Sequence, residues 1–253
     1  MNKSAIYFLL ILCVAVPSAA FAAEPAAEGH FREAVKAASA KDYNTALTEF
    51  ESALGGDPDN IRFASEYRQA VIQSKQYDRC LSFFEKLVAA APGASNAYLN
   101  NGFAIVDKIP DSGAITQVIL ANKALSFFSK SIEIKPSWIA YYTRGNSYLF
   151  WPRIFNRTQL GIADLEEAMK LQKADKKRNF HVRSFIALGD GYWKVDEVEK
   201  AKTLWREGLA LFPENALLKE RLSKEGDQLK ALIEAVYDPN KRVDTNLNEI
   251  WAN

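Results

Sequence analysis

The chain has 253 residues, with 32 Lys and Arg against 31 Asp and Glu, so its net charge at neutral pH is +1. A neutral chain without a basic run lacks the electrostatic footprint of a nucleic-acid binder. Its histidines are His30 and His181 and its cysteines Cys13 and Cys80. With no HExxH, no paired cysteine set, no glycine-rich phosphate loop and no GxSxG, none of the recurring catalytic constellations is present. We therefore expect no enzyme activity, no metal and no cofactor.

Taken in chain order, residues 1–22 come first. They carry one charge, Lys3, then the apolar run AIYFLLILCVAV, a breaker at Pro17 and the small-residue end AAFA. This reads as an export signal cleaved after Ala22. The run is too short to span a bilayer as a helix, which needs about 20 residues. The expected location is the periplasm of a Gram-negative host, or otherwise the extracellular or secretory space, with membrane association only indirect. Cys80 is then the sole mature cysteine, so no internal disulfide forms and stability must come from packing.

The mature chain repeats itself. Tyr43, Phe50 and Pro58 stand 34 residues before Tyr77, Phe84 and Pro92, and Ala46 pairs with Cys80. The interval defines two tandem units, 27–60 and 61–94. In each, an apolar-striped helix is followed by a turn and by a second helix reading small-x3-aromatic-x2-small before a proline. Small residues let the two helices approach, the aromatic fills the space beside the next unit, and proline ends the second helix.

The same marks continue. A third unit, 95–137, has Tyr98, Gly102, Ala124, Phe128, Ser131 and Pro136, but is ten residues too long within DKIPDSGAITQVILAN. That surplus should lengthen its second helix. A fourth, 138–175, has Tyr141, Gly145, Tyr148, Gly161, Leu165 and Ala168, with its second helix delayed by WPRIFNR. A fifth, 182–215, has Phe185, Leu188, Gly189, Tyr192, Ala201, Trp205, Gly208 and Pro213. Arg68 and Arg144 depart from the pattern. Residues 216–236 keep one apolar face, through positions 218, 222, 229, 232, 233 and 236, suited to a helix that caps the last unit. The tail, 237–253, ends in the weakly apolar Leu247, Ile250 and Trp251. It either hangs free or folds back on the array, and folding back is the expectation.

These units resemble the tetratricopeptide repeat. The resemblance implies an all-α, right-handed superhelical array of about five helix-turn-helix hairpins with a C-terminal capping helix. It also implies a non-catalytic scaffold or adaptor, an assembly factor binding another exported or envelope protein, or a peptide, in a concave groove. The family builds that groove from the first helix of each hairpin. Carried over position by position, the groove residues are Arg62 and Gln69 in the second unit and Asn100 and Phe103 in the third. Tyr142 and Asn146 follow in the fourth, and Asp190 and Trp193 in the fifth. Asn100 and Asn146 can both donate to and accept from a peptide backbone, and the aromatics offer apolar pockets. The basic residues of the family's carboxylate clamp are missing at their places, which argues against clamp-type chaperone binding. The loop WPRIFNR adds Trp151 and Phe155 as exposed-looking contacts. Two other readings stand beside this one: self-association driven by the convex face or the tail, and a glycan or small-ligand receptor using Tyr142 and Trp193.

Overall fold

The structure is a computed structural model that describes residues 19–251; the export-signal reading therefore falls mainly on residues outside the described ones. Among the described residues the chain forms twelve α-helices and no strand. The first ten pair into five hairpins: α1 (Ala19–Ser39) with α2 (Tyr43–Gly56), α3 (Ile61–Ser74) with α4 (Tyr77–Ala90), α5 (Ser95–Lys108) with α6 (Ala114–Ile134), α7 (Trp138–Leu149) with α8 (Thr158–Lys173), and α9 (Val182–Lys194) with α10 (Val198–Leu211). No described helix is long and apolar enough to cross a membrane.

Local chemistry sets the starts and turns. Asp42 and Asn60 accept hydrogen bonds from the first free backbone amides of α2 and α3, and Ser137 and Asn215 do the same for α7 and for the helix that begins at Ala216. Such caps satisfy donors that an isolated helix end leaves unpaired. The first, second and fifth hairpins each reverse through one left-handed residue, Lys41 (φ 62°), Lys75 (φ 57°) and Asp196 (φ 68°).

Packing follows the small-and-large pattern. Phe50, Phe84, Phe128 and Trp205 are all at most 1% exposed. A Cβ on Gly102 would lie 2.4 Å from the Phe128 ring, and one on Gly189 only 2.1 Å from the Trp205 indole. Those two glycines are what allow the aromatic of the second helix to seat against the first. Cys80 is 1% exposed, and burial pushes its thiol well above the ordinary value, so it is a packed group and not a reactive one.

Hairpins three and four carry the departures. α6 has 21 residues where α2 and α4 have 14, and a short 3₁₀ turn, Ile109–Asp111, precedes it. Another 3₁₀ turn, Arg153–Phe155, separates α7 from α8. The single capping helix expected over 216–236 is two helices, α11 (Ala216–Ser223) and α12 (Gly226–Val236). Lys224 and Glu225 are extended and Gly226 has φ 51°, so the backbone breaks there despite the continuous apolar spacing. Both pieces still cover the last hairpin, through Leu218, Leu229 and Ile233.

Candidate functional site: a concave wall holding the chain's own tail

The first helices of the hairpins, α3, α5, α7 and α9, share one wall, and residues 237–251 lie along it. Tyr237 donates to Asp190 on α9 at 3.1 Å, beside Asn146 on α7. The chain then crosses to α5, where the Arg242 guanidinium bonds the Asp107 carbonyl at 2.9 Å and the Asp111 carboxylate at 3.1 Å. It reaches α3 through Thr245 and Leu247, whose amide donates to Ser65 Oγ at 3.3 Å. It then doubles back, pairing Glu249 with Arg183 on α9.

The anchor is Arg68, wholly buried on α3. Its Nε donates to Asn100 Oδ1 at 2.9 Å and its Nη1 to Asp107 Oδ2 at 2.9 Å. From the tail, Thr245 supplies its hydroxyl to Nη1 at 3.1 Å and its carbonyl to Nη2 at 2.9 Å. The Thr245 hydroxyl in turn donates to Asp107. The guanidinium also lies over the Phe103 ring, 4.7 Å from its centroid. A buried charge is tolerable only when it is paired and fully hydrogen-bonded, and here the tail supplies part of the pairing. Burial pushes the Asp107 carboxyl above its ordinary value, while Arg68 and Thr245 pull against that shift. A second buried pair, Arg221 with Asp190 at 2.6 and 2.7 Å, holds α11 to α9. Burial raises Asp190 as well, against Arg221 and Tyr237.

Beside the tail a pocket of about 440 Å³ stays open between hairpins three and four. Phe103, Leu125, Phe128, Ile139 and Phe150 line it, the Trp151–Phe155 loop closes one side, and Val243, Leu247 and Ile250 of the tail form another. The loop is tied to α6 by Arg157, which bonds Asn122 at 2.9 Å and stacks 3.7 Å from the Trp151 ring.

The pocket brings together five of the residues expected from sequence: Phe103, Tyr142, Asn146, Trp151 and Phe155. The others lie elsewhere. Arg62 stacks on Phe31 at 4.7 Å, and Gln69 is half-buried with its amide nitrogen unpartnered. Asn100 and Asp190 are each 0% exposed, which corrects their reading as open groove groups. Asn100 spends its amide on Arg68 and the Asn96 carbonyl, and Asp190 spends its carboxylate on Arg221 and Tyr237. Trp193 packs against the core of the last two hairpins and does not line the pocket, and Tyr142 stacks on Trp138 at 5.0 Å. Trp151, read as exposed, is 7% exposed under Arg157, whereas its neighbour Phe155 is 53% exposed. Arg68, Thr245, Leu247 and Arg242 were not foreseen as site residues. Arg68 gave one signal, a charged side chain where the third, fourth and fifth units have glycine. Among the described residues, no group of three His, Cys, Asp or Glu side chains is placed to hold a metal ion.

An array of antiparallel helical hairpins with a shared inner wall defines the class: an all-α helical-repeat protein. Residues 37–100 match the family model for the tetratricopeptide repeat. Among solved structures, the chain is similar to TTC0263, a thermophilic TPR protein in Thermus thermophilus. The identity is 20%, the match covers 78% of this chain and 97% of that one, and the TM-score is 0.55. MamA (residues 41 to the end) from Desulfovibrio magneticus RS-1 matches at 15% identity, covering 75% and 97%, with a TM-score of 0.51. PilF of Pseudomonas aeruginosa matches at 17%, covering 80% and 84%, with a TM-score of 0.50. At these identities the likeness is one of fold. Residues 37–100 thus carry the tetratricopeptide-repeat pattern, and the array as a whole has the fold of tetratricopeptide-repeat structures.

Proposed function

We propose that this protein is an exported, non-catalytic adaptor whose concave wall binds a non-helical segment of another envelope protein, where its own residues 237–251 lie in cis. One observation carries the reading: the wall already holds a peptide segment, and does so partly through backbone. Arg68 bonds the Thr245 carbonyl at 2.9 Å and Ser65 accepts from the Leu247 amide at 3.3 Å. Backbone contacts of this kind accept many sequences, while the burial of Thr245 and Leu247, 4% and 6% exposed, marks where side-chain preference would arise. A tail joined to its own groove has an effective concentration on the order of millimolar, so an incoming segment must compete with it. The export component rests on the leader-like residues 1–22. Self-association through the tail has less support, because Tyr237 and Leu247 are buried within their own chain.

The test is a crosslinked pull-down from envelope extract with residues 23–253, residues 23–236, and residues 23–236 carrying Arg68→Met. Circular dichroism confirms helicity beforehand. We expect the truncated bait to capture one exported protein more strongly than the full chain. A synthetic 237–251 peptide should release it, and Arg68→Met should abolish capture. Equal or weaker capture after truncation, or no release by the peptide, overturns the reading.

A further inference from the structure

The geometry points to a second site: we propose that the pocket between hairpins three and four takes a single aliphatic chain bearing a carbonyl or ester oxygen. At about 440 Å³ it falls in the size range of small-molecule sites.

Its chemistry narrows the ligand. Of the charged side chains that line it, Arg183 and Glu249 are half-buried and pair with each other, and Lys241 and Asp244 are exposed. The interior is aromatic and aliphatic. Of the uncharged polar side chains in the pocket lining, Gln117, Ser147, Thr245 and Asn246 already have hydrogen-bond partners and Tyr142 lies against Arg183, which leaves Thr143 and Asn146, one helical turn apart on α7. Among the described residues no group hydrogen-bonds the Thr143 hydroxyl or the Asn146 Nδ2, and Asn146 Oδ1 has only a long 3.5 Å contact from Tyr237. Two donors side by side suit one acceptor oxygen. A sugar buried there would leave most of its hydroxyls unpaired, and a peptide segment would leave its amides unpaired, each at the cost of desolvation without return. An aliphatic chain needs no partner along its length. Val118 and Phe155 of the pocket lining are 49% and 53% exposed, so the pocket is open to solvent on their side.

The chain could come from a free amphiphile or from a bilayer lipid, and the experiment separates these sources. Residues 23–253 are titrated with a dansyl-labelled medium-chain fatty acid, and the bound probe is challenged with a monoacylglycerol, phosphatidylglycerol vesicles, an oligosaccharide and a short apolar peptide. We expect saturable binding displaced by the monoacylglycerol or by the vesicles, the effective one naming the source, and by neither of the other two. Ala121→Trp, placed on the pocket wall, should abolish binding with helicity unchanged. Asn146→Leu should cut the preference for an ester over a plain alkyl chain about tenfold, the effect of one hydrogen bond. Non-saturable binding, displacement by the sugar or peptide, or full binding by folded Ala121→Trp overturns the proposal. Truncation at residue 236 should weaken the probe, because Val243, Leu247 and Ile250 wall the pocket. The same truncation is expected to strengthen partner capture, so the two readings fail separately.

Discussion

Hairpins one and two and hairpins three and four follow the same packing rule and part company at the turn between their helices. In the first pair the chain reverses through Lys41 and Lys75, 34 positions apart and both left-handed. The space between those helices is filled by a continuous aromatic series. Phe31 stacks on Phe63 at 4.4 Å, Phe50 meets Tyr67 at 6.2 Å, and Tyr67 meets Phe84 at 5.8 Å. In the second pair the one-residue reversal gives way to the Ile109–Asp111 turn and to the Arg153–Phe155 turn, which ends in left-handed Asn156 (φ 51°). Turns at the same place in successive hairpins lie along one edge of the array, so two insertions there become neighbours, as the Arg157–Asn122 bond records. The seats of the repeat, such as Gly102 against Phe128, are untouched. The difference teaches that this chain gained a pocket by adding residues at an edge and left its packing positions unchanged.

The widest contrast is therefore between Phe50 and Phe155. Phe50 is 1% exposed in the closed pair, so Phe50→Ala should cost about 3–5 kcal/mol in transfer and cavity terms. Because neighbouring repeats are coupled only through their interfaces, the loss should appear as early melting of the first hairpins. Phe155→Ala should change stability by less than about 0.5 kcal/mol while weakening the acyl probe. Thermal melts of both variants, with the probe titration, check this; a large destabilisation by Phe155→Ala would mean that the loop is structural. A smaller contrast lies in the turns themselves. Lys75→Gly relieves a left-handed conformation that costs an ordinary residue about 1–2 kcal/mol, less the roughly 0.5–1 kcal/mol of added chain entropy. It should raise stability by about 0.5 kcal/mol. Ile109 has φ −51°, so Ile109→Gly should lower it instead. Urea melts with a matched m-value decide the sign.

How much of this could be read in advance follows the range of the contacts. The period, the small and aromatic seats and the lengthened α6 depend on residues within one or two units, and the 34-residue interval exposed them. Arg68 was visible only as an exception to the glycine position. Its meaning depends on Thr245, 177 residues away, and no periodicity links the two. The tail's route was hidden for the same reason, since residues 238–247 are non-helical and carry no repeating pattern. Trp151 was misread because a tryptophan in a polar loop looks exposed until the Arg157 guanidinium is known to cover it. Asn100 was placed on the correct helix, but its amide is taken by the same arginine.

The smallest effect concerns the joint between hairpins four and five, where the other joints offer no comparable group. His181 is 4% exposed, packed against Phe180 and Trp138, and accepts a hydrogen bond from the Arg178 amide through Nδ1 at 3.3 Å. Burial lowers its pKa below the ordinary 6.5, with Asp175 at 4.0 Å opposing the shift and Arg178 adding to it. The unfolded chain therefore takes up this proton at higher pH than the folded one, and stability rises with pH across that interval. The contribution is complete above the unfolded value and fades as pH falls through 6.5 toward the lower folded value. Between about pH 7.5 and about pH 5.5, where histidine is the side chain that ordinarily titrates, the melting temperature should fall with acidification. The decline should be shallower in His181→Asn, whose carbonyl can still accept from Arg178. The Trp138 indole nitrogen bonds Gln172 at the end of α8 and Ser184 at the start of α9, so its fluorescence should report the loosening of this joint ahead of the global melt. An equal pH slope in the variant would assign the titration to other groups and leave this joint indifferent to acid.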